Sequence, residues 1–483
     1  MSKPPIILWF RQDLRLSDNP ALHAAHAAGH PIIPLYILDD ENAKEWKMGA
    51  ASRVWLHHAL TALNKDLSEH LVIQKGDAAK IIPDLIKKTN ASGVYWNRCY
   101  EPWRIARDKK IKTDLEDQNI DVQSFNGSLL WEPWTIKNQS GQPYKVFTPY
   151  YRKGCLQASP PREPLPRPPR LNYGNNTNLS ISLNDLNLLP VKERKWDETL
   201  VQHWNISENG AQKRLSDFLN DGLQNYKKGR DHPADENTSR LSPYLHFGQL
   251  SPNQAWYAAQ ERGTAEGWES DRDHFLSELG WREFSYSLLY HFPKMTWENL
   301  QPRFNDFPWK TKKTSDLEKW HKGLTGYPIV DAGMRQLWET GYMHNRVRMI
   351  VGSFLVKNML THWHLGEEWF WDCLVDADLA SNAASWQWIA GCGADAAPYF
   401  RIFNPITQSQ KFDEKGEYIR RFVPELKDMP DKDIHAPWEA SDAVLKQAGV
   451  ELGKTYPKPM MDHGSARNRA LDAFKSTKTE DTA

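Results

Sequence analysis

A proline-rich stretch at residues 159–170 separates two parts of the sequence that have different patterns. Before it, helical patterns alternate with short apolar runs at residues 6–10, 32–38, 71–74, 94–96 and 122–125. Strands that alternate with helices predict a parallel sheet covered by helices on both faces. After it, helical periodicity begins near residue 208 and continues, interrupted by loops, to about residue 473. This second part is therefore predicted to be all helical.

The length and the change of pattern predict more than one domain. The chain has 483 residues, which is more than a single hydrophobic core usually serves. We expect an α/β N-terminal domain with a parallel, Rossmann-like sheet, followed by a large all-α domain. The predicted bounds are 1–135 for the α/β domain, 136–205 for an interdomain linker, 206–475 for the helical domain and 476–483 for a flexible tail.

Composition disfavours several classes of protein. The 61 basic residues are balanced by 61 acidic ones, so a polyanion would have to meet a local basic patch. The 4 cysteines show no CxxC spacing, so we expect a reduced protein without a metal site. No window approaches the roughly 18 uninterrupted apolar residues of a membrane-spanning helix. We therefore expect a soluble, cytoplasmic protein without a targeting signal.

The turn after the first strand does not suit a dinucleotide. Its residues Arg11, Gln12 and Asp13 include no glycine, so the glycine-rich fingerprint that binds a pyrophosphate is missing. The similar run of glycines at residues 391–396 follows an aromatic helical pattern and no strand. A nicotinamide-dependent enzyme is therefore disfavoured.

Residues 376–405 combine polar and aromatic side chains on a predicted helix. Asp378, Asn382 and Trp386 recur at four-residue steps and share one face, whereas Trp388 points nearly the opposite way. The small residues at 383–385 would let a flat group lie close to the backbone. The alternative is a buried helix with a polar end.

Tryptophan is used far more often than apolar burial requires. The sequence contains 22 tryptophans. Indole side chains stack on planar ligands and on bases, and they are among the few side chains that can be oxidised to carry an electron. Most of these tryptophans are nevertheless expected to be core residues.

A hydroxyl-rich turn at residues 237–242 precedes an apolar helical pattern. Hydroxyls and backbone N–H groups at the start of a helix form an anion site. An ordinary helix cap explains the same residues equally well, so the sequence leaves both interpretations open.

A further predicted helix has one mixed face. Glu278, Trp281, Arg282 and Ser285 follow the i, i+3, i+4, i+7 pattern of a single helix face. A solvated face would rarely place a tryptophan at its centre. We therefore favour a face that lines a groove.

Another segment contains two arginines that diverge. Asn345 and Met349 share one helix face beside Arg346, and Arg348 follows Arg346 by two residues. One arginine can therefore meet a phosphate while the other turns inward to a buried carboxylate, for which Asp376 is the candidate. The alternative is that both arginines lie on the surface.

Long motifs in this sequence resemble those of the DNA photolyase and cryptochrome family, in the family's order. Besides residues 376–405, they are LWFRQDLRLSDNPAL at 8–22, TSRLSPYLHFG at 238–248, ELGWREF at 278–284, TGYPIVDAGMRQL at 325–337 and GYMHNRVRMI at 341–350. The resemblance extends over nearly the whole chain. It implies an N-terminal α/β antenna domain, a long connector and a helical domain that holds FAD.

The resemblance implies light-driven repair of cyclobutane pyrimidine dimers in DNA, a carbon–carbon lyase reaction. Light excites reduced FAD, an electron passes to the flipped-out dimer, the ring splits and the electron returns. The alternatives are a cryptochrome-type blue-light receptor, which binds FAD without repair, and a (6-4) photolyase. A cryptochrome usually has a long signalling tail, and we expect none in this protein. A tryptophan-rich single-strand binder would need no cofactor.

The resemblance also assigns functional residues at matching positions, and no metal. Catalytic roles are assigned to Glu278, Asn382, Trp386, Trp363 and Trp309, of which the three tryptophans match the family's electron-transfer chain. Contacts with FAD are assigned to Tyr226, Thr238, Ser239, Arg240, Leu241, Ser242, Phe275, Arg348, Asp376, Ala377, Asp378 and Asn382. Contacts with DNA or the lesion are assigned to Arg230, Glu278, Trp281, Arg282, Asn345, Arg346, Met349 and Trp388.

Several positions favour the dimer-splitting subclass. Enzymes for (6-4) photoproducts usually have glutamine where this chain has Glu278, and paired histidines where it has His344 and Asn345. Asn382 matches photolyases, because plant cryptochromes favour aspartate and animal ones cysteine. An amide can bond the flavin N5–H without supplying a proton. Ala-Ala-Ser at 383–385 replaces the Asn-Gly-Gly of many dimer-splitting enzymes, so the subclass stays open.

The antenna chromophore and the DNA-binding rim follow from the same resemblance. His23, Trp103 and Arg104 lie where folate or deazaflavin chromophores bind in relatives. Residues 102–104 depart from the Asn-Glu pair of some folate-binding members, and methenyltetrahydrofolate is favoured over 8-hydroxy-5-deazaflavin. UV-damaged DNA is the expected partner of a monomeric protein, and its basic rim is expected to consist of Lys227, Lys228, Arg230 and Arg346.

Overall fold

The computed structural model describes residues 3–190, 195–395 and 400–477, and the chain forms two compact units. Unit 1 comprises Met1–Gln224 and Ser239–Pro293, and unit 2 comprises Asn225–Thr238 and Lys294–Ala483. Residues 478–483 of the predicted tail lie outside the described residues. The domain bounds predicted from the sequence stay a prediction.

Unit 1 contains a five-stranded parallel sheet, which confirms the predicted fold class. The strands are β1 Ile6–Phe10, β2 Ile32–Leu38, β3 Val72–Lys75, β4 Gly93–Asn97 and β5 Asp121–Phe125, in the order β3-β2-β1-β4-β5. Every residue of β1, β2 and β4 is buried. Burial on both faces explains why these strands are nearly continuous apolar runs in the sequence.

Strand β1 lies at the centre of the sheet. Ile6 pairs with Ile32 of β2 on one side and with Gly93 of β4 on the other. Strands β2 and β3 are therefore added on one side of β1, and strands β4 and β5 are added on its other side. The carboxyl ends of β1 and β4 form the topological switch point, where open α/β sheets usually bind ligands.

Helices connect the strands of unit 1 and continue after them. They are α1 Pro20–Ala27, α2 Asp40–Ala43, α3 Ala50–Asp66, α4 Ala78–Thr89, α5 Pro102–Glu116, α6 Phe147–Pro149, α7 Trp196–Gln202, α8 Glu208–Asp217, α10 Ser242–His246, α11 Pro252–Ala265 and α12 Glu269–His291. A π-helical turn, Tyr150–Gly154, follows α6.

The proline-rich residues 159–170 contain no helix or strand. Proline lacks the N–H that helices and strand ladders use, which accounts for this extended segment. The chain after it runs along the sheet, because the carbonyl of Asn172 accepts from the N–H of Ile32 at 2.7 Å and the N–H of Ile181 donates to Ile73 at 3.0 Å.

Unit 2 is helical within the described residues. Its helices are α9 Tyr226–Gly229, α13 Ser315–His321, α14 Pro328–Thr340, α15 Asn345–Ser353, α16 Trp363–Cys373, α17 Leu379–Ala390, α18 Pro405–Phe412, α19 Glu417–Phe422, α20 Asp442–Gln447 and α21 His463–Ser476. Its core includes fully buried side chains of Trp320, Val351, Phe354 and Trp363. Across the part of the chain that the structure describes, no helix combines the length and the hydropathy needed to cross a bilayer.

Candidate functional site

Helix α17 forms in the segment that carries the polar and aromatic pattern. Asp378 caps its first turn, because the carboxylate accepts a hydrogen bond from the N–H of Ser381 at 2.8 Å. The helix ends at Gly391, whose φ of 93° lies in the left-handed region that favours glycine. Ala383 is fully buried and Ser385 is exposed. The small residues therefore do not share one surface.

The amide of Asn382 has a defined orientation. Its Nδ2 donates to the backbone carbonyl of Glu367, on α16, at 3.2 Å. The amide nitrogen is thus used within the protein, and the oxygen Oδ1 remains as an acceptor for a ligand. Asn382 is 8% exposed, so a ligand would meet this oxygen largely out of bulk water.

The residue that orients this amide is itself a buried acid. Glu367 is 2% exposed, and its Oε2 hydrogen-bonds with Nδ1 of His364 at 2.9 Å. Its Oε1 has no partner among the described residues. Burial raises the pKa of Glu367, and the bond to His364 opposes this rise. Glu367 was not among the predicted residues, because no sequence pattern marks a backbone carbonyl as the partner of Asn382.

Arg348 and Asp376 form the predicted ion pair. Nη2 of Arg348 lies 3.1 and 2.9 Å from the two carboxylate oxygens of Asp376, and Nε donates to the carbonyl of Met343 at 2.7 Å. The side chain of Asp376 is 3% exposed and that of Arg348 is 25% exposed. Nη1 of Arg348 makes no hydrogen bond within the described residues, so it can donate a hydrogen bond to the polar edge of a planar ligand.

Arg346 takes a different partner, which confirms that the two arginines diverge. Its Nη2 binds Oδ1 of Asp231 at 2.7 Å, and its guanidinium lies 4.3 Å from the ring centroid of Phe412. Its Nη1 lies 3.9 Å from Sδ of Met349. Nη2 of this guanidinium is therefore already paired with a carboxylate before any DNA phosphate approaches.

His344 is buried among these cations. Its Nδ1 accepts a hydrogen bond from the N–H of Arg346 at 3.2 Å and so caps α15. Burial lowers the pKa of His344 to about 3, and the charge of Arg230 adds to this effect. The ring is therefore neutral near pH 7, as an accepting cap requires.

The three tryptophans of the predicted electron-transfer chain all lie in unit 2. Trp386 is 3% exposed and Trp363 is 0% exposed. The Nε1–H of Trp363 donates to Oδ1 of Asn299 at 2.9 Å, whereas Nε1 of Trp309 has no partner among the described residues. The ring centroid of His362 lies 5.7 Å from those of both Trp309 and Trp363. One imidazole is therefore close to both of these indoles.

Trp386 packs against α16 at a glycine. A Cβ atom on Gly366 would lie 2.2 Å from Cη2 of Trp386, far inside van der Waals contact. The ring centroid of Phe370, also on α16, lies 5.0 Å from that of Trp386. The close approach of α16 and α17 therefore requires Gly366.

Trp388 borders a small cavity of about 30 Å³ that Lys357, Phe400 and Arg401 also line. Lys357 is 1% exposed, its Nζ donates to the carbonyl of Ala390 at 2.7 Å, and it lies 3.1 Å from the ring centroid of Phe400. Burial lowers the pKa of Lys357 far below its ordinary value. Lys357 was not predicted, and it connects the last turn of α17 to Phe400.

In unit 1, residues 239–242 of the hydroxyl-rich turn lead into α10. Oγ of Ser239 accepts from the N–H of Leu241 at 3.4 Å, and the carbonyl of Ser239 accepts from Nε of Arg214 at 2.8 Å. Arg240 has a φ of 51°, in the left-handed region that is uncommon for a residue with a side chain. Its guanidinium lies 4.7 Å from the ring centroid of Trp204. A turn of this kind with adjacent hydroxyls suits phosphate oxygens.

The other predicted FAD contacts and DNA contacts differ in burial. Phe275 is buried in unit 1, and Tyr226 and Ala377 are buried in unit 2. Asn345 is exposed at the start of α15, and Arg230 is half-buried.

Helix α12 carries the predicted lesion contacts of unit 1. The side chain of Glu278 is 28% exposed, and its Oε1 lies 3.9 Å from Nε2 of His274. The indole of Trp281 stacks on the ring of Phe147, with centroids 3.7 Å apart and planes at 10°. Ser285 is buried, and its Oγ donates to the carbonyl of Trp281 at 3.0 Å. Glu278 and Trp281 are thus partly exposed, whereas the hydroxyl of Ser285 bonds to the backbone of its own helix.

Arg282 contacts other residues of unit 1. Its Nη1 donates to the carbonyl of Ser128 at 2.8 Å and pairs with Oε1 of Glu283 at 3.1 Å. Oε2 of Glu283 accepts from the N–H groups of Leu130 and Trp131 at 2.9 and 3.2 Å. Burial raises the pKa of Glu283 to about 7. These two side chains hold the loop at 128–131 against α12, and a contact of Arg282 with DNA stays a prediction.

Ion pairs occupy the switch point at the carboxyl ends of β1 and β4. Nη1 of Arg11 lies 2.7 Å from Oδ2 of Asp108, and Arg107 lies 2.8 Å from Asp108 and 3.1 Å from Asp39. All four side chains are buried. Both guanidinium groups also lie over the ring of Trp9, at 4.4 and 4.7 Å from its centroid. Side chains of the protein thus fill the position where this type of sheet usually binds a ligand.

The residues predicted for the antenna chromophore lie in the same part of unit 1. Nε of Arg104 lies 3.4 Å from Oε1 of Glu101, and its guanidinium lies 4.8 Å from the ring centroid of Trp103. His23 is half-buried on α1. Arg104 therefore already has partners within the protein.

Each unit, taken by itself, contains groups of the kind that FAD uses. The Arg348–Asp376 pair and Oδ1 of Asn382 offer the guanidinium donor and the amide acceptor that the polar edge of an isoalloxazine uses. The turn at residues 239–242 offers hydroxyls suited to phosphate oxygens.

Comparisons with known proteins agree with this chemistry. Residues 6–169 match the family described as DNA photolyase, and residues 275–476 match the FAD binding domain of DNA photolyase. The chain is 49% identical over 480 residues to the deoxyribodipyrimidine photo-lyase of Agrobacterium fabrum, with 98% of each chain covered. It is 39% identical over 489 residues to cryptochrome-2 of Arabidopsis thaliana, with 98% of this chain and 79% of that one covered.

Solved structures give the same result. A class III photolyase from Agrobacterium tumefaciens matches with a TM-score of 0.94 and 48% identity, over 99% of this chain and 98% of that one. A cryptochrome from Synechocystis matches with a TM-score of 0.89 and 29% identity, over 98% of this chain and 99% of that one. The chain therefore belongs to the DNA photolyase and cryptochrome family.

Proposed function

We propose that this protein is a deoxyribodipyrimidine photolyase, a lyase that uses light to split cyclobutane pyrimidine dimers in DNA. The observation that carries the proposal is the orientation of the Asn382 amide, which presents an acceptor that has no proton to give. The high identity over the whole chain to a deoxyribodipyrimidine photo-lyase supports the same conclusion.

The protein binds FAD, as the match of residues 275–476 to an FAD binding domain indicates. Reduced FAD, when bound, supplies on excitation the electron that opens the cyclobutane ring and receives it back. When FAD is bound, Oδ1 of Asn382 would accept a hydrogen bond from flavin N5–H and so hold the proton there. Arg348 would balance negative charge on the reduced ring, and Asp376 holds Arg348 in position.

The remaining assignments are part of the proposal. The proposed FAD contacts are Tyr226, Thr238, Ser239, Arg240, Leu241, Ser242, Phe275, Arg348, Asp376, Ala377, Asp378 and Asn382. The proposed route for electrons that reduce oxidised FAD consists of Trp386, Trp363 and Trp309.

On the DNA side, a dimer has to leave the duplex before it can meet a buried cofactor. A damaged pair stacks poorly, which lowers the free energy of extrusion and contributes to selectivity. We propose that the carboxylate of Glu278 accepts hydrogen bonds from the pyrimidine N–H groups and that Trp281 stacks on the dimer. The other proposed contacts with DNA are Arg230, Arg282, Asn345, Arg346, Met349 and Trp388.

For the antenna we propose methenyltetrahydrofolate rather than 8-hydroxy-5-deazaflavin. The support is the sequence resemblance alone, because the ion pairs of Arg11 and Arg107 with buried carboxylates at the switch point would bar either chromophore from that position. Absorbance and mass spectra of the chromophores extracted from the purified protein decide between the two. A deazaflavin spectrum would contradict this assignment.

We propose UV-damaged DNA as the partner. The cytoplasmic location and the monomeric state expected from the sequence stay predictions.

Anaerobic illumination of the reduced protein with an oligonucleotide that contains one thymine dimer tests the proposed function. The wild type should restore intact thymines. Glu278→Ala should lower kcat/KM for repair by about tenfold or more, because a hydrogen bond to a charged group contributes about 1.5–3 kcal/mol. Glu269→Ala, which removes an exposed acid at the start of the same helix, should leave repair unchanged.

Other outcomes would identify the alternatives. A yellow protein that restores no thymines would be a receptor of the cryptochrome type. Repair of a (6-4) photoproduct, without repair of the cyclobutane dimer, would indicate a (6-4) photolyase. A colourless protein that binds single strands would contradict the flavoenzyme proposal altogether.

A further inference from the structure

Three aromatic rings of unit 1 form a parallel stack, which we call the aromatic column: Tyr151, Phe147 and Trp281. The planes of Phe147 and Tyr151 are at 9° with centroids 5.6 Å apart, and those of Phe147 and Trp281 are at 10° with centroids 3.7 Å apart. Phe147 begins α6, Tyr151 lies in the π-helical turn after it, and Trp281 lies on α12. The column therefore joins two segments that are far apart in the sequence.

The two rings behind Trp281 are held firmly. Phe147 and Tyr151 are each 8% exposed. A Cβ atom on Gly280 would lie 2.5 Å from Cδ2 of Tyr151, so the absence of a side chain at Gly280 lets the tyrosine ring contact the backbone of α12. Phe284 packs edge-to-face against both Phe147 and Trp281, with centroids 5.9 Å from each. Close packing of this kind fixes the plane of Phe147.

Trp281 differs from the rings behind it because it is partly exposed. Among the described residues, the rings in contact with its indole are Phe147, which covers one face, and Phe284, which meets its edge. A planar base can therefore stack on the face opposite Phe147.

We propose that Phe147 is a positioning residue for lesion binding: it fixes the plane of the Trp281 indole so that the opposite face is ready to receive a pyrimidine of the dimer. This inference rests on the proposed function, in which Trp281 stacks on the lesion. Phe147 itself does not touch DNA. It acts by removing the freedom of the indole before binding.

The expected size of the effect follows from the cost of ordering a side chain. An indole that is already fixed loses less conformational freedom when a ligand stacks on it, and this difference corresponds to about threefold to tenfold in affinity. The effect should be confined to ligands that stack on Trp281. Electron transfer to a bound dimer should be unaffected, because Phe147 does not contact the reacting atoms.

The test uses the reduced holoenzyme and a double-stranded oligonucleotide with or without one thymine dimer. For Phe147→Leu, the Kd for the dimer-containing duplex in the dark should rise by about threefold to tenfold. The Kd for the undamaged duplex and the repair rate at saturating substrate should stay at the values of the wild type. Phe147→Tyr keeps the flat ring and should bind the dimer like the wild type.

Two further variants separate positioning from loss of stability. Phe10→Leu makes the same change at a fully buried position in β1, outside the column, and should lower thermal stability without changing the Kd for the dimer. In a Trp281→Ala background, Phe147→Leu should cause no further loss of dimer affinity, because its effect passes through the indole. If Phe147→Leu does not fold, Phe147→Met replaces it, since methionine keeps most of the volume without the flat ring.

A wild-type Kd for Phe147→Leu would overturn the inference while leaving the proposed function intact. The same holds for an equal loss of affinity for damaged and undamaged DNA, or for an effect that persists without Trp281. A wild-type protein that neither prefers nor repairs the dimer would overturn the proposed function, and the role of Phe147 with it.

Discussion

His344 caps the start of α15 and lies close to three arginines of unit 2. Its ring accepts a hydrogen bond from the backbone of Arg346, while the charges of Arg230 and Arg348 lie nearby. A proton on this ring would remove the acceptor and add a positive charge to a buried, already cationic environment. The neutral ring therefore serves as a cap that does not compete with the arginines for anionic partners.

The depressed pKa of His344 predicts a loss of stability in acid. The unfolded chain binds a proton on this ring near the ordinary pKa of about 6.5, whereas the folded protein binds it only near about 3. Between these values the unfolded state holds more protons, so the free energy of unfolding falls as the pH falls. At about pH 5 the loss should be about 2 kcal/mol relative to about pH 6.5.

His344→Asn keeps a capping acceptor but cannot titrate, so it should lose about 2 kcal/mol less than the wild type over this pH interval. Urea denaturation at the two pH values measures the difference. His203→Asn, at an exposed position on the surface of unit 1, should retain the pH dependence of the wild type. Equal pH dependence in His344→Asn and the wild type would refute the assignment.

At the scale of elements, the pair α16 and α17 holds the residues closest to the proposed chemistry. Asn382 and Trp386 lie on α17, and the groups that orient them, Glu367 and Gly366, lie on α16. The relative position of the two helices therefore decides both the orientation of the amide and the packing of the first indole. Small changes at the helix contact should affect both.

Gly366→Ala tests this contact. The added Cβ would overlap Cη2 of Trp386, so the indole or the helix has to move. We expect a loss of about 1–3 kcal/mol in the free energy of unfolding, together with slower photoreduction of oxidised flavin. Chemical denaturation and flavin absorbance under illumination measure the two effects. Gly464→Ala, on α21 where only Oδ1 of Asp462 lies near at 3.4 Å, should change stability by less than about 1 kcal/mol.

The sequence predicted elements better than contacts between them. Strands β1, β2 and β4 could be found because burial on both faces produces unbroken apolar runs. Helix α17 could be found from the four-residue spacing of its polar and aromatic residues. The stack of Phe147 on Trp281 could not be predicted, because a periodic pattern shows which residues share a helix face but not which distant residue packs against that face.

The same limit applies to charged side chains of the site. The sequence predicted the pair Arg348–Asp376, because two arginines that diverge on a helix leave one to turn inward and Asp376 was the candidate carboxylate for it. It did not predict that Arg282 would bind the carbonyl of Ser128, because that partner lies 154 residues away in the chain. Glu367 was missed for a similar reason, since it orients Asn382 through its backbone carbonyl rather than its side chain.

At the scale of the whole molecule, charge balance shapes how the protein can meet DNA. With 61 basic and 61 acidic residues, no net field draws a polyanion to the protein. Affinity for DNA has to come from a few local cations that release counterions from the phosphates. Arg346 is already paired with Asp231, whose negative charge offsets part of its attraction for a phosphate.

The dependence of DNA binding on salt should therefore be shallow and should respond to single residues. Each phosphate contact contributes about one unit to the slope of log K against log salt concentration. Arg230→Ala should lower that slope by about one unit for damaged and undamaged duplexes alike, since a phosphate carries no lesion information. Lys112→Ala, which removes a cation that pairs with Glu116 on α5, should leave the slope unchanged. Titrations of labelled duplex at several salt concentrations measure it, and a slope that is the same in Arg230→Ala and the wild type would exclude Arg230 from the rim.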